Sequence, residues 1–344
     1  MGAGCARLLR VKPLVSILIP AHNAEAWIAE TIRSALAQTW RRTEIIIVDD
    51  RSTDQTLSVA KQFRSKSVLV IKQSNQSAAV TRNEALSKSQ GDFIQWLDAD
   101  DLLSPNKIEA QINALSKGDN ARRVASGPWG AFISRTSRAR FRQSALWHDL
   151  SPKEWLSKKM GENLHMQTGT WLVSRELTEA AGPWDTRLSF DDDGEYFCRI
   201  LVASCGTRFV PEAKTYYRKA AGDSLGSFNG AAGKLESLLL SMQLHVKYLL
   251  AIENSARTRA SCMKYLQNWL PYFYPRRVDL LKDLQKIAAS LGGELKTPRV
   301  SWKYSCIQNV FGPAAADNAR WGYNRVKKSL LRSGDRALCW LNKG

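Results

Sequence analysis

The sequence predicts an α/β fold: a mostly parallel, doubly wound sheet followed by a helical C-terminal extension. Three observations predict it. Short apolar, strand-like runs alternate with helical patterns over roughly the first third of the chain. Polar and acidic residues stand at the carboxyl ends of those runs, where open α/β sheets hold their ligands. Finally, no G-x-G-x-x-G follows the first strand and no G-x-x-x-x-G-K-[ST] occurs anywhere, which sets aside a dinucleotide site and a phosphate-binding P-loop.

Taken in order, Val15 to Ile19 is an apolar strand ending at Pro20. Ala21-His22-Asn23 makes the turn, with Asn23 expected to cap a helix that carries Trp27, Ile28, Ile32, Ala35 and Leu36 on one side. Glu44 to Val48 is a second strand and ends in Asp49-Asp50. Ser52-Thr53-Asp54-Gln55 reads as a capping box. Val68 to Ile71 is a third strand, Ser77 to Lys88 a helix holding Arg82, and Phe93 to Leu97 a fourth strand. Three carboxylates follow that strand at once, Asp98, Asp100 and Asp101. Such a cluster suits a hard divalent cation such as Mg²⁺ or Mn²⁺, shared with substrate phosphates; its plainer reading is a cap on the next segment with solvated loop charges. Ser104-Pro105 opens a further helix with Ile108, Ile112 and Leu115 at core spacing.

The middle is less regular. Val124 to Ser134 predicts a strand or hairpin turned by Gly127-Pro128-Trp129-Gly130. Ser151-Pro152-Lys153-Glu154 is another capping box, and Ser174 to Ala181 a short helix closed by Gly182. An acidic run, Asp191-Asp192-Asp193, precedes a buried helix from Glu195 to Ala203 that carries Arg199. Beyond about Leu235 the pattern is helical, with amphipathic stretches at Leu235 to Ile252 and Val278 to Leu291. Residues 302–344 mix Trp302, Tyr304, Phe311, Trp321 and Tyr323 with Lys and Arg. The division this predicts is a tail at 1–12, an α/β unit at 13–225 and a basic, aromatic-rich helical extension at 226–344.

Composition narrows the classes. Of the 344 residues, 44% are hydrophobic, enough for a full core. No run approaches 18 apolar residues, so no transmembrane helix is expected. The basic N-terminus lacks an apolar stretch after it, unlike a secretory signal. Met1-Gly2 resembles a myristoylation start, but Ala6 stands where Ser or Thr is wanted. The six cysteines are scattered with no C-x-x-C pair, which argues for a reducing cytosol rather than a zinc site or disulfide framework. The formal charge is +18 and uneven: residues 254–344 hold 17 Lys/Arg against 5 Asp/Glu. Basic residues interleaved with aromatics on amphipathic helices suit an anionic membrane surface, or equally a solvated helical cap.

Four stretches, V-S-I-L-I-P-A-H-N, I-I-I-V-D-D-R-S-T-D, A-A-V-T-R-N-E-A-L and G-D-F-I-Q-W-L-D-A-D-D, in that order and spacing, resemble family 2 glycosyltransferases with the GT-A fold, over about residues 13 to 220. The resemblance implies a nucleotide-sugar-binding fold and inverting transfer of a sugar from a nucleotide-sugar, usually a UDP-sugar, to an acceptor hydroxyl with Mn²⁺ or Mg²⁺. It implies that Pro20, Ala21 and His22 pack against the nucleobase and that Asn23 opens the following helix; many relatives have Tyr where His22 stands. Asp50 resembles the acid that accepts from the base, Arg82 the basic residue near the nucleotide, Asp98 the ribose-side acid and Asp100 the metal ligand bridging to the diphosphate. Relatives often carry the base six or seven residues before a helical Arg, so with Arg199 in that place the resemblance implies Asp193 as the general base, with Asp192 the alternative one residue away. His165, Trp171 and Trp184 lie where relatives line the acceptor pocket, although a strand tryptophan is more often core. The expected partners are the donor and a glycan or lipid-linked acceptor in polysaccharide or cell-envelope synthesis, with no nucleic acid. The expected location is the cytoplasm or, peripherally, the inner membrane face.

Two other classes fit the sequence less well. A metal-dependent nucleotidyltransferase making the nucleotide-sugar wants a Gly-rich phosphate loop after strand one, and Pro20 to Asn23 offers none. A basic nucleic-acid-binding protein wants a recognised module, which the sequence lacks.

Overall fold

The structure is a computed structural model and describes residues 12–74, 77–117, 122–219, 233–275 and 277–298, together with 319, 322 and 323. In chain order the strands and helices are β1 (Val15–Ala21), α1 (Ile28–Leu36), β2 (Thr43–Asp50), α2 (Thr56–Lys61), β3 (Val68–Gln73), α3 (Ala78–Ser87), β4 (Phe93–Trp96), β5 (Leu102–Leu103), α4 (Lys107–Leu115), β6 (Val124–Ser126), β7 (Trp129–Phe132), β8 (Arg140–Phe141), α5 (Pro152–Gly161), β9 (Val173–Ser174), α6 (Arg175–Ala181), α7 (Asp192–Ala203), β10 (Thr207–Phe209), β11 (Thr215–Arg218), α8 (Lys234–Ile252), α9 (Ala256–Phe273) and α10 (Val278–Ser290).

The main sheet runs β3-β2-β1-β4-β9. Its first four strands are parallel, and β9 is antiparallel at the edge. Because side chains alternate across a strand, each strand feeds two cores. Leu18, Ile46, Val48, Ile94 and Trp96 face one, completed by α3 and by helices from α5 onward. Val15, Ile17, Ile19, Ile45 and Ile47 face the other, completed by α1 and α4. The strands are apolar on both faces for this reason. A four-stranded sheet, β5-β11-β7-β8, and a two-stranded one, β10-β6, stand beside it.

Several local expectations are corrected. Asn23 does not cap α1, whose N-cap is Trp27 without a side-chain bond. Asn23 instead takes a left-handed φ of 46°, and its Oδ1 accepts from the Thr53 amide at 2.9 Å. The Ser52–Gln55 box does not form either. Asp54 accepts from the Thr56 and Glu25 amides (2.9 and 3.1 Å), while Glu25 accepts from the Gln55 amide (2.8 Å). The turns after β1 and β2 thus tie each other, using partners some 30 residues apart. β6 and β7 are not a hairpin: β6 pairs with β10, and β7 with β11 and β8. The box at Ser151–Glu154 forms as expected.

α8 is the one described helix long and apolar enough, by length and composition, to cross a membrane. Here it packs as a core helix. It buries Leu238, Leu239, Met242, Val246 and Leu249, and its Ser237, Ser241 and Tyr248 all form hydrogen bonds to the segment 189–195.

Candidate active site

The site forms beyond the carboxyl ends of β1, β2 and β4. At the end of β1, Pro20 is half-buried, Ala21 is buried, and His22 and Asn23 are exposed. His22 Nδ1 lies 2.6 Å from the backbone oxygen of Asp50, which fixes the ring at the tip of the neighbouring strand. The Asp50 side chain is buried, and its Oδ1 has no hydrogen-bond partner within the described protein. An acceptor left in that state costs about 1–3 kcal/mol, so it is suited to a donor from a ligand. Asp49 accepts from the Ser52 amide at 3.3 Å and closes the turn.

After β4 the chain delivers Asp98 and Asp100 half-buried and Asp101 fully buried. Burial and the neighbouring Asp98 push the Asp100 carboxyl up to about 6. Burial, then Asp100 and Asp98, hold Asp101 well above the usual carboxylate range. Asp101 is anchored: its Oδ1 accepts from the Arg218 amide at 2.8 Å. The buried Arg218 guanidinium also donates to the Asp100 backbone oxygen (2.8 Å) and pairs with Glu30 (2.5 Å). Trp27 and Phe132 stack on either side of it, 4.5 and 4.4 Å from the guanidinium carbon. This support is absent from the sequence reading, because an arginine at the end of a late strand gives no signal of its partners.

Arg82 joins the two acidic groups. It is buried on α3 and donates to Asp98 at 3.3 Å and to Asp192 at 2.6 Å. Burial opposes its charge, but Asp192 and Asp98 more than offset this and hold it firmly protonated. Its guanidinium lies 4.4 Å over the Trp184 ring, which in turn stacks on Tyr196 at 4.1 Å. The adjacent Asn83 exchanges two hydrogen bonds with the Trp184 backbone (2.8 and 2.9 Å), pinning segment 182–185 against α3.

Asp192 and Asp193 are not a loop before the helix. They are its first turn, with Asp191 as N-cap in a left-handed conformation at φ 57°. Asp193 accepts from Thr168 Oγ1 at 3.4 Å. Burial first, then Asp192 and Asp191, push its carboxyl up to about 7, against the pull of Arg82. Asp192 is raised by burial while Arg82 pulls the other way. A carboxyl at about 7 with no cation of its own suits proton acceptance near neutral pH, whereas Asp192 is neutralised by Arg82. Gly194 matters here: a Cβ at that position would lie 2.1 Å from Asp191 Oδ1.

Of the aromatic candidates, Trp171 and Trp184 are core residues, each about 1% exposed. Trp171 stacks on Phe197 at 5.1 Å, and neither ring presents a free face to an acceptor. His165 is exposed with its ring 5.1 Å from Trp129. Trp129 contacts Tyr217 edge-on at 5.9 Å. Burial and then Asp101, Asp100, Asp98 and Asp193 push the Tyr217 hydroxyl up to about 12, and its strand β11 pairs with β5 directly after Asp101. Tyr217 and Trp129 carry no motif and were missed. Only the pairing of β11 with β7 brings them to the site.

Among the described residues no three His, Cys, Asp or Glu side chains group as a metal cage. The carboxylate oxygens of Asp98 and Asp100, the latter raised first by burial and then by Asp98, are of the kind that fits a hard divalent cation.

Residues 16–181, just under half of the chain, match the model of the family described as Glycosyl transferase family 2. Similar sequences include an uncharacterized glycosyltransferase of Rickettsia typhi, 44% identical over 108 residues (31% of this chain, 34% of the relative). Another is the putative teichuronic acid biosynthesis glycosyltransferase TuaG of Bacillus subtilis, 40% identical over 107 residues (30% and 42%). The matched segments thus span less than half the length of these relatives. Among solved structures, residues 1–349 of S. aureus TarS in complex with UDP-GlcNAc align with a TM-score of 0.65 at 17% identity, covering 80% of this chain and 81% of that one. The fold is therefore the GT-A fold, with C-terminal helices.

Proposed function

We propose that this chain is an inverting glycosyltransferase that moves a sugar from a nucleoside-diphosphate-sugar, a UDP-sugar, to an acceptor hydroxyl during synthesis of a cell-envelope polysaccharide. The observation that carries the reading is the double ion pair of Arg82, which ties the acids after β4 to those opening α7. The UDP-GlcNAc-bound TarS structure and the name of TuaG support the donor and the polymer class.

In this reading Asp50 accepts from the nucleobase, and Pro20, Ala21 and His22 pack beside it. Asp98 takes the ribose side. Asp193 removes the acceptor hydroxyl proton, and that oxygen attacks the anomeric carbon from the face opposite the diphosphate. The C–O bond to the diphosphate breaks, its electron pair leaves on the nucleoside diphosphate, and the anomeric configuration inverts. Asp100 would hold Mn²⁺ or Mg²⁺, which supplies charge stabilisation to the departing diphosphate. Arg82 keeps Asp192 and Asp98 from repelling that anion. The acceptor enters past Tyr217, Trp129 and His165, and the protein works peripherally at the inner membrane face.

Thermal stabilisation by a panel of UDP-, GDP- and CDP-sugars with Mn²⁺ tests the donor. A clear shift with a UDP-sugar, absent with the others and lost in Asp50→Ala, is expected. Stabilisation by nucleoside triphosphates instead of nucleotide-sugars would overturn the proposal.

A further inference from the structure

The outer part of the four-stranded sheet is strongly basic, and among the described residues no acidic side chain pairs with it. Between Asp119 and Asp149 the chain has six arginines and no Asp or Glu. Four of them, Arg135, Arg138, Arg140 and Arg142, lie on the β7–β8 hairpin. Arg138, Arg140 and Arg142 are exposed. Among the described residues none of the four guanidiniums is hydrogen-bonded or ion-paired, and one terminal nitrogen of Arg135 is buried without a partner.

The register shows which way this surface looks. Arg140 is paired with Ala131, and Ala131 with Tyr217. Directly paired residues share a face, so Arg140 stands on the same face as Ala131, Tyr217 and Trp129. The opposite face is filled by Phe132, Phe141 and Tyr216, in edge-on contact at 5.7–6.4 Å. The order of strands outward from the acids is fixed by pairing: β11, which carries Tyr217, lies beside β5 directly after Asp101, then come β7 with Trp129 and β8 with Arg140. Walking outward from the acids, the order is Tyr217, Trp129, then the arginines.

An acceptor that carries its own negative charges would be repelled by the five carboxylates at the centre. A positive strip one or two strands out offsets that repulsion, sets the direction of approach and raises the on-rate. Arginine suits this role, because its planar fork binds phosphate or carboxylate bidentately. We propose that the β7–β8 hairpin is an acceptor subsite for a polyanionic glycan, one bearing phosphodiester or carboxylate groups. The proposal rests on the glycosyltransferase reading and adds the acceptor's chemical class to it.

The test is direct binding of a fluorescein-labelled glycerol-phosphate oligomer, with a labelled neutral dextran oligomer of equal length as control, to the full chain and to its R138Q/R140Q/R142Q variant. The wild type is expected to bind the phosphate oligomer in a salt-dependent way and to ignore dextran. The variant should bind it about tenfold more weakly, as three exposed charge contacts imply, while UDP binding by calorimetry stays unchanged. Equal binding by the two proteins would overturn the proposal. So would a variant defect confined to phosphatidylglycerol vesicles, which would make the strip a membrane contact. Neither arm requires turnover, so a failure of UDP binding in both proteins would sink the glycosyltransferase reading and leave the polyanion result standing as a separate fact.

Discussion

Arg82 is where a single substitution reaches most of the site. Truncating it strands Asp98 and Asp192 beside each other with no cation, and breaking a buried pair in this way costs on the order of 3–5 kcal/mol. Arg82→Ala should therefore lower the urea midpoint sharply, and the Asp192→Asn background should recover part of that loss. Asp193 gives two opposite pH dependences. It must be deprotonated to accept a proton, so kcat should rise through about pH 7, where its carboxyl titrates. Stability runs the other way. The folded protein holds a proton that the unfolded chain releases above about 3.8, so folding loses free energy as pH climbs from there to about 7. Asp193→Asn should consequently abolish transfer, keep UDP affinity within about twofold, and melt higher than wild type at pH 8, with the difference vanishing near pH 4. A wild-type-like rate in Asp193→Asn together with loss in Asp192→Asn would move the base by one residue. The positions of Asp50, Asp98 and Asp100 were legible in the sequence because they sit at strand ends, whereas Asp192 and Asp193 open a helix. Arg218 and Tyr217 were not legible, since their importance comes from contacts more than a hundred residues away along the chain.

At the scale of elements, α8 holds the segment that leads into Asp193. Ser237 Oγ accepts from the Ser189 and Phe190 amides at 2.9 and 3.0 Å, and Ser241 pairs with the Asp191 carboxylate at 2.5 Å. Tyr248 donates to Glu195 at 2.6 Å, and Glu195 is in turn bound to Arg199. The S237A/S241A double variant should lower kcat by about 10–100-fold through misplacement of the base while leaving UDP affinity unchanged in calorimetry. Ser237→Thr, which keeps the hydroxyl, should restore most of the rate. The helix itself could be read from the sequence as an amphipathic pattern. Its serines could not, because a serine on such a helix looks like any solvated position until its partner is known. The same limit explains Asn23 and Ser52: local capping rules expected bonds within one turn, and the structure uses partners on the neighbouring strand end instead. Where the cap and its partner are three residues apart, as in Ser151 and Glu154, the expectation held.

For the molecule as a whole, the charge is the main guide. The basic, aromatic residues Trp302, Tyr304, Phe311 and Trp321 fall outside the described residues, so their role is a matter for solution measurement. Beyond residue 298 the sequence holds nine Lys/Arg against two Asp/Glu. The full chain is expected to co-sediment with phosphatidylglycerol vesicles at low salt and to be released as screening rises. A chain ending at residue 298 should lose that binding and still be stabilised by UDP. Unchanged sedimentation would make this end a solvated cap. The overall fold was readable from the alternation of strands and helices; the way the smaller sheet sets Trp129 and Tyr217 beside the acids was not, because β5, β7, β8 and β11 are short and recruit one another from distant parts of the chain.

The bonds from α8 also bear on the order in which the protein matures on the ribosome. Ser237 and Ser241 are translated some fifty residues after the loop they restrain, so in a growing chain the segment around Asp191 stays untied until α8 has emerged. Synthesis halted before α8 should yield a polypeptide whose amides at 189–191 exchange freely with solvent.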